Sequence, residues 1–329
     1  MKELRTITLG DRSALQLEVL NYGATLTSLK VPDHNGKQVD VVVGLAEPGN
    51  YLDRTYLDRK IYLGSTIGRY AGRIAGGMFS VNGEEYKLHQ FDGAHLHGGK
   101  EGLDKKFWNI ETLYEGKDPY VTLSCTSPHM EEGYPGNVKV WATYQVKGGN
   151  TLCISYKAIT DAQTPLNITN HAYFNLNGQG SVKGHFMKVA SDRYLEKDHV
   201  KVPTGRINAS GGTRFDYREL SDLEAIGTAG LDDTFILSSG RRIEDALLYA
   251  PESGITMKII TNQPAFVIYT PPQLNGLELK GTYSNFPAIC FEAQNYPNAP
   301  NESSFPSPWL HPGERYENTT SFVFSNSKL

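Results

Sequence analysis

The 329-residue sequence is poor in cysteine, has no long apolar run and carries no strong excess of charge of one sign. Its three cysteines, Cys125, Cys153 and Cys290, are far apart and lack the paired spacings of a zinc site, which favours structural thiols in a reducing compartment. No segment approaches the roughly 18 apolar residues of a membrane-spanning helix. The N-terminal residues MKELRTITLG contain no core of a signal peptide. We therefore expect a soluble, cytoplasmic protein.

Charge runs and phosphate-binding loops are also missing. The formal net charge is -4, from 32 basic and 36 acidic residues, and no basic stripe or polybasic patch indicates nucleic acid or a membrane surface as a partner. Neither GxGxxG nor GxxxxGK is present, and the GxSxG motif of many serine hydrolases is missing too. The expected partner is therefore a neutral small molecule, with no nucleotide cofactor.

Short strands joined by turns are the main pattern that is present. The chain has 33 glycines, 17 prolines and 19 tyrosines. VKVWATYQV (138–146) and TLCISYKAI (151–159) alternate on either side of the turn KGGN, which predicts a β-hairpin. Helix is weakly favoured only at YRELSDLEAIG (217–227) and RRIEDALLYA (241–250). With no repeat and no flexible linker, we expect residues 1–329 to form a single domain, an all-β antiparallel sandwich with few short helices.

The stretch LNITNHAYFNLNGQG (166–180) has one apolar face and one hydrogen-bonding face when it is considered as a strand. The hydrogen-bonding face holds Asn167, Thr169, His171, Tyr173 and Asn175. A histidine on a strand is commonly a half-buried structural group, whereas a row of donors and acceptors suits a ligand with many hydroxyls. This stretch alone leaves both interpretations open.

Two further motifs hold groups that can move protons. In PAICFEAQNYP (287–297), the apolar residues at 289, 291 and 293 face one side and Glu292 faces the other. This carboxylate is either held rigidly, as a general base must be, or faces water on an edge strand. In HLHGG (95–99), His95 and His97 project to the same side of an extended chain and could bind a metal, donate protons or cap a loop.

The motifs GLDDTF (230–235) and GRYAGRI (68–74) are less specific. The first contains Asp232 and Asp233, and paired aspartates commonly form turns. The second contains Arg69 and Arg73, and most arginines are solvated or form ordinary ion pairs. Neither motif identifies a site by itself.

Taken in order, these motifs and their neighbours are similar to one family over nearly the whole chain. The matching segments are NYGATLTSLKVPDHNGKQVDVVVGL, GRYAGRIAGGMFSVNGEEYKL, HLHGG with GLDKKFW, EEGYPGNV, NHAYFNLNG, GLDDTF, CFEAQNYP and FPSPWLHPGERYENTTSFVFS. The chain resembles the aldose 1-epimerase (galactose mutarotase) family. The resemblance implies a large galactose mutarotase-like supersandwich of antiparallel strands, with a small aldose sugar bound in an open cleft on one sheet. We expect a monomer or a homodimer.

The resemblance also implies a role for each matching residue. His171 is expected to be the general acid at the ring oxygen, and Glu292 the general base at the C1 hydroxyl. His97 is expected to assist at the ring oxygen. Arg73 and Asp232 match residues that hold the sugar hydroxyls.

Physical chemistry independently favours these roles. Interconversion of the α and β anomers of an aldose removes a proton from the C1 hydroxyl and delivers one to the ring oxygen. A carboxylate and an imidazole suit these tasks, because their unperturbed pKa values are about 4.3 and 6.5. No electron or group is transferred, so no cofactor and no metal are expected. The hydrogen-bonding face of 167–175 is then expected to line the cleft, with Tyr173 and Asn175 among the substrate-binding residues.

Two positions depart from the family pattern. Many members have asparagine where this chain has Gly72, which removes one expected side-chain contact near the sugar. Many also have Asp-His where this chain has Asp232 followed by Asp233. Neither departure affects the expected acid and base.

Three alternatives remain open on the sequence alone. A hexose-6-phosphate 1-epimerase needs a cluster of cations at the phosphate, and only Arg69 and Arg73 are evident for it. A non-catalytic carbohydrate-binding protein would use aromatic platforms and amides. A metalloenzyme would use His97, His171 and Glu292 as a two-histidine, one-carboxylate site.

Overall fold

The computed structural model describes residues 3–238 and 243–326, and strands are its main regular structure. The first strands are β1 Thr6–Gly10, β2 Gln16–Leu20, β3 Thr25–Pro32, β4 Gln38–Asp40, β5 Thr66–Ile67, β6 Arg73–Ala75, β7 Met78–Val81, β8 Glu84–Lys87, β9 Ala94–Leu96, β10 Asn109–Tyr114, β11 Tyr120–Ser127, β12 Val138–Lys147 and β13 Thr151–Thr160. They are followed by β14 Thr164–Pro165, β15 Thr169–Asn170, β16 Tyr173–Phe174, β17 Phe186–Val189, β18 Arg193–Lys197, β19 Pro203–Ala209, β20 Ser221–Asp222, β21 Asp232–Ile236, β22 Ala246–Ala250, β23 Ile255–Thr261, β24 Ala265–Tyr269, β25 Ile289–Gln294, β26 Trp309–Leu310 and β27 Tyr316–Ser325.

Helices in the described residues are short. The α-helix α1 spans Arg54–Leu57, and 3₁₀ helices span Pro48–Leu52, Leu103–Lys105, Glu131–Gly133, Leu223–Ile226 and Ala299–Asn301. Among residues 3–238 and 243–326, no helix has both the length and the apolar character needed to cross a membrane. Strand makes up 45% of the structure and helix 7%, which confirms the prediction of an all-β fold with few short helices.

Two large sheets supply most of the sandwich. The nine-stranded sheet has the order β10-β11-β12-β13-β27-β23-β22-β17-β20, and the six-stranded sheet has the order β16-β25-β24-β21-β18-β19. Neighbouring strands in both sheets are antiparallel. A four-stranded sheet, β1-β2-β3-β4, lies beside them. The predicted antiparallel sandwich is therefore confirmed.

One buried apolar cluster, the main core, joins the two large sheets. Alternate residues of β12 and β13, such as Tyr144 and Ile154, contribute from the nine-stranded sheet. Phe266 of β24 and Phe291 of β25 contribute from the six-stranded sheet. The predicted hairpin is present, because β12 and β13 pair in register along their full lengths. Alternation with a period of two thus directs one face of each strand into the core.

Strand β25 carries Glu292 on the face turned away from the main core. Ile289, Phe291 and Ala293 belong to the main core, while Cys290 belongs to a second apolar cluster on the other face. The strand lies between β16 and β24, and Glu292 is only 2% exposed. The alternative of a water-facing edge strand is therefore wrong.

One of the two helix predictions is wrong. Residues Ala246–Ala250 of the second candidate form β22, which pairs with β17 and β23 inside the nine-stranded sheet. Burial on both faces explains the continuous apolar run, which cannot be told from a buried helix by periodicity. Positions 241 and 242 of that candidate lie outside the described residues. The first candidate contains the short strand β20 and the 3₁₀ helix Leu223–Ile226.

Candidate active site

A cavity of about 280 Å³ opens on the face of the six-stranded sheet that carries Glu292. Its lining includes one residue from each of four adjacent strands: Tyr173 of β16, Glu292 of β25, Tyr269 of β24 and Asp232 of β21. The remaining lining residues are Lys60, Ile61, Tyr62, Arg73, Leu96, His97, His171, Lys201, Pro271, Pro272, Gln273 and Leu274. A cavity with several convergent polar groups suits a small polar ligand.

His171 lies between β15 and β16, where backbone hydrogen bonds fix its position. Its N–H donates to the carbonyl of Ser65 at 3.0 Å, and its carbonyl accepts from the N–H of Gly64 at 2.9 Å. The imidazole stacks on the ring of Tyr173, with centroids 5.0 Å apart and an interplanar angle of 16°. The ring is therefore buried and held in one orientation.

Glu292, His171 and His97 converge in this cavity from distant parts of the chain. Nε2 of His171 lies 3.5 Å from Oε1 of Glu292. One side-chain nitrogen or oxygen from each of the three residues lies within 4.8 Å of the others. Oε2 of Glu292 is buried and has no hydrogen-bond partner among the described residues. The structure thus brings the predicted acid, base and assisting histidine together.

The backbone of Gly72 determines which nitrogen of His97 carries the hydrogen. The Gly72 N–H donates to Nδ1 of His97 at 3.2 Å, so Nδ1 must be an acceptor. Burial lowers the pKa of His97 well below its usual value, with further lowering by His171 and Arg73, and the ring is neutral. Its hydrogen therefore lies on Nε2. A metal ligand needs a free lone pair, whereas Nδ1 of His97 accepts from Gly72 and Nε2 carries a hydrogen. The neutral ring is therefore better suited to donate a hydrogen bond than to bind the metal of the two-histidine, one-carboxylate alternative.

Burial also determines where the proton of the central pair lies. It raises the pKa of the Glu292 carboxyl well above its usual range, with a further increase from Asp232 and an opposing decrease from Arg73. Burial lowers the pKa of His171 to about 4. When the two groups hold one proton between them, burial therefore favours the uncharged arrangement, with that proton on Glu292, over the ion pair.

Charged residues form the other end of the cavity. Nζ of Lys201 lies 2.6 Å from Oδ2 of Asp232. Asp233 faces Lys197 instead, with Nζ 2.6 Å from its Oδ1. Among the described residues that line the cavity, Asp232 is present and Asp233 is not. Asp232 is therefore the acid of the Asp-Asp pair that faces the cavity. Arg73 adds a further positive charge to the cavity lining.

Tyr62 packs against both histidines, and no pattern in the sequence indicates this contact. Its ring centroid lies 4.9 Å from that of His97 and 5.7 Å from that of His171. The residue is 5% exposed and follows the loop after α1. It therefore restricts the orientation of both imidazoles from one side.

Several residues singled out from the sequence lie elsewhere and have structural partners. Asn175 is not among the cavity-lining residues, and its amide donates to the carbonyls of Gln179 at 3.0 Å and Pro287 at 2.9 Å. The amide of Asn167 donates to the carbonyl of Ala71 at 3.0 Å. We therefore remove Asn175 from the expected sugar contacts.

Arg69 and His95 are also structural. The Arg69 guanidinium is 2% exposed and donates to the Ser127 hydroxyl and to the carbonyls of residues 127, 128, 135 and 136. Nε2 of His95 lies 2.7 Å from the hydroxyl of Tyr134. Arg69 is therefore not available for the phosphate of a hexose 6-phosphate, and the two histidines of HLHGG do not act as a pair.

Comparison with known proteins relates this chain to one family over nearly its whole length. The family model for aldose 1-epimerase matches residues 5–323. The galactose mutarotase of Sus scrofa is 40% identical over 323 residues, which cover 94% of this chain and 91% of that protein. The aldose 1-epimerase of Escherichia coli strain K12 is 32% identical over 337 residues, covering 97% of this chain and 95% of that protein.

Solved structures show the same relationship. An aldose epimerase homologue from C. elegans superposes with a TM-score of 0.90 at 29% identity, covering 99% of this chain and 100% of that one. The galactose 1-epimerase from Lactobacillus acidophilus NCFM has a TM-score of 0.87, also at 29% identity, covering 99% of this chain and 96% of that one. Because the family model spans nearly the whole sequence and the relatives match over almost their full lengths, the chain belongs to the aldose 1-epimerase family.

Proposed function

We propose that this protein interconverts the α and β anomers of free aldoses such as galactose and glucose by acid–base ring opening and closure. The observation that carries the proposal is the contact between the Glu292 carboxyl and the His171 imidazole, 3.5 Å apart in a sugar-sized cavity. The C1 hydroxyl oxygen and the ring oxygen of a pyranose are bonded to the same carbon. An acid and a base that act on these two oxygens must therefore be near neighbours in one cavity, as these two groups are.

Ring opening follows from the placement of the two groups. Glu292, as the carboxylate, takes the proton of the C1 hydroxyl, and the electron pair left on that oxygen forms the carbonyl. The bond between C1 and the ring oxygen breaks, and the ring oxygen takes the proton from His171. Rotation about the C1–C2 bond turns the other carbonyl face toward the released hydroxyl. The same two transfers in reverse close the ring as the other anomer.

The single shared proton makes this sequence reversible at one site. With the ring closed, the proton must lie on His171 and Glu292 must be ionised. With the ring open, the proton lies on Glu292 and His171 is neutral, which is the arrangement that burial favours. Each positioned group contributes a rate factor of about 10² to 10⁴.

The remaining cavity residues hold the sugar in the reacting position. Nε2–H of His97 donates to the ring oxygen as negative charge develops there. Arg73 and Asp232 bind hydroxyls away from C1, and the sugar shares Asp232 with Lys201 or displaces that lysine. Tyr173 supports the His171 ring by stacking. No step requires a metal or a cofactor.

Polarimetry on freshly dissolved sugar tests the proposal. The protein is expected to accelerate the approach of α-D-galactose to its equilibrium rotation without changing that equilibrium, and a survey of glucose, arabinose and xylose ranks the substrates. A protein that only binds carbohydrate cannot accelerate the approach. An unchanged rate with every one of these sugars would therefore overturn the proposal.

We further propose that the chain acts in the cytoplasm as one domain, in a monomer or a homodimer, with no nucleic acid or membrane partner. The side chains of Cys125, Cys153 and Cys290 are buried, which suits structural thiols in a reducing compartment. The cavity is formed within one chain, so neither oligomeric state changes the chemistry. Sedimentation of the purified protein distinguishes the two states, and an assembly larger than a dimer would contradict the proposal.

A further inference from the structure

A recess of about 40 Å³ extends the catalytic cavity beneath Glu292. It shares Arg73, His97, Lys201, Asp232 and Glu292 with the cavity. Its other lining residues are Gly72, Leu195, Lys197, Pro203, Thr234, Val267 and Pro297. The proposed ring opening uses none of these additional residues as a sugar contact, so the part of the recess that they line has no assigned occupant.

The orientation of the sugar determines which of its substituents meets the recess. Glu292 and His97 line both spaces, whereas His171 lines the cavity and not the recess. Two residues that line the recess, Val267 and Thr234, follow Glu292 in register across β24 and β21, on the side of β25 away from β16. In the proposed function, Glu292 is at the C1 hydroxyl and His171 is at the ring oxygen. The ring carbon bonded to C1 on the side away from the ring oxygen is C2. The substituent on C2 is therefore the one that points toward the recess.

The size of the recess exceeds what a C2 hydroxyl needs. A cavity needs a volume of roughly 10–15 Å³ to hold one water molecule. The 40 Å³ of the recess therefore corresponds to about three atoms of the size of a water oxygen. An acetamido group has three more non-hydrogen atoms than a hydroxyl. The volumes therefore match a C2 acetamido group, with its nitrogen in place of the hydroxyl oxygen.

The lining offers a partner for each part of that group. The Asp232 carboxylate can accept from the amide N–H. The Arg73 guanidinium can donate to the amide carbonyl, and it has no ion pair or side-chain hydrogen bond with another described residue. Leu195 and Val267 give the methyl group an apolar wall, and both side chains are at most 9% exposed.

Gly72 allows Pro297 to pack closely at the wall of the recess. It has a φ of 83°, and a Cβ atom there would lie 2.8 Å from Cβ and Cγ of Pro297.

We propose that this enzyme also accepts 2-acetamido-2-deoxyhexoses, such as N-acetyl-D-galactosamine and N-acetyl-D-glucosamine, as substrates for anomer interconversion. The proposal rests on the proposed function, because it uses the same acid and base. The acetamido group occupies the recess, and the bonds made and broken at C1 are those of the parent aldose.

A size series at Val267 tests this substrate class, because Val267 lines the recess and not the catalytic cavity. Polarimetric kcat/KM values are measured with D-galactose and with N-acetyl-D-galactosamine for the wild type, Val267→Ile and Val267→Ala. The wild type is expected to use both sugars within about a tenfold range, and Val267→Ile to lower the ratio of acetamido sugar to galactose by about 10- to 200-fold. Val267→Ala is expected to keep or raise that ratio.

Galactose turnover serves as the folding control for each variant. If the wild type turns over galactose but not the acetamido sugars, or binds them only as inhibitors, the inference fails and the proposed function stands. Equal losses on both sugars in Val267→Ile would also overturn the inference, because they would show that the recess does not distinguish the substrates. If neither sugar is turned over by the wild type, it is the proposed function that fails.

Discussion

Replacement of Glu292 by glutamine removes the proposed base while keeping the size of the side chain. In the native site, Oε1 of Glu292 faces Nε2 of His171 at 3.5 Å, and Oε2 is buried without a partner among the described residues. The amide of Glu292→Gln can hydrogen-bond to the C1 hydroxyl but cannot remove its proton. Binding of the sugar is therefore expected to survive while the chemical step is lost.

The magnitude follows from the number of functions that are removed. A positioned general base contributes about 10² to 10⁴ in rate. The substitution also removes the carboxylate that stabilises a protonated His171, so we expect the loss at the upper end, about 10⁴ in kcat. KM is expected to change by less than about tenfold, because the transition-state interaction is lost and the ground-state contacts at Arg73 and Asp232 remain.

The assay is polarimetry on α-D-galactose, with thermal unfolding as a check on the fold. Glu278→Gln is a matched control, because it makes the same chemical change at an exposed carboxylate outside the cavity. It is expected to retain the wild-type rate. A loss of less than tenfold in kcat for a folded Glu292→Gln protein would refute the assignment of the base.

Four further outcomes are expected. His97→Gln places an amide donor near the position of Nε2 and should retain more activity than His97→Asn, whose amide lies near Nδ1; equal polarimetric rates would contradict the tautomer assigned from Gly72. In a pH series, kcat/KM should fall below about pH 4, where His171 takes a second proton while Glu292 stays protonated, and should fall again above the raised pKa of Glu292, where the shared proton is lost. A loss of activity on acidification that is centred near pH 6.5 would contradict the lowered pKa of His171. Treatment with EDTA should leave turnover unchanged, whereas a loss that added Zn²⁺ restores would support the metal alternative. Arg69→Met should lower the free energy of unfolding in urea by at least about 3 kcal/mol, because it leaves several buried carbonyls without donors, and a change under about 1 kcal/mol would show that those carbonyls find other partners.

Local patterns predicted the strands that carry the site better than the site itself. The period of two in CFEAQ correctly placed Glu292 opposite Phe291, because β25 is a regular strand with a core on one face. The same rule did not hold along 166–180. There, β15 ends at Asn170 and β16 is limited to Tyr173–Phe174, so the alternation does not extend to Asn175. A pattern of alternating polarity thus cannot show where a strand is interrupted.

Other parts of the cavity gave no local signal. Tyr62 and Lys201 reach the cavity from loops, where neither periodicity nor spacing specifies the direction of a side chain. Only the family resemblance grouped the three catalytic candidates, His97, His171 and Glu292. They are far apart in the sequence, and no spacing rule predicts contacts between such distant segments. The hydrogen of His97 lies on Nε2 because the backbone N–H of Gly72 donates to Nδ1. A contact with a backbone N–H depends on the fold and leaves no pattern in the sequence.

A crystal structure of the protein with D-galactose tests the acid–base account most directly. The acid–base mechanism predicts that the C1 hydroxyl lies within hydrogen-bond reach of Glu292 and the ring oxygen within reach of His171, each at about 2.6–3.2 Å. It would be contradicted by a sugar bound the other way round, with C1 and the ring oxygen beside Lys201 and Asp232 and only unreactive hydroxyls beside Glu292 and His171.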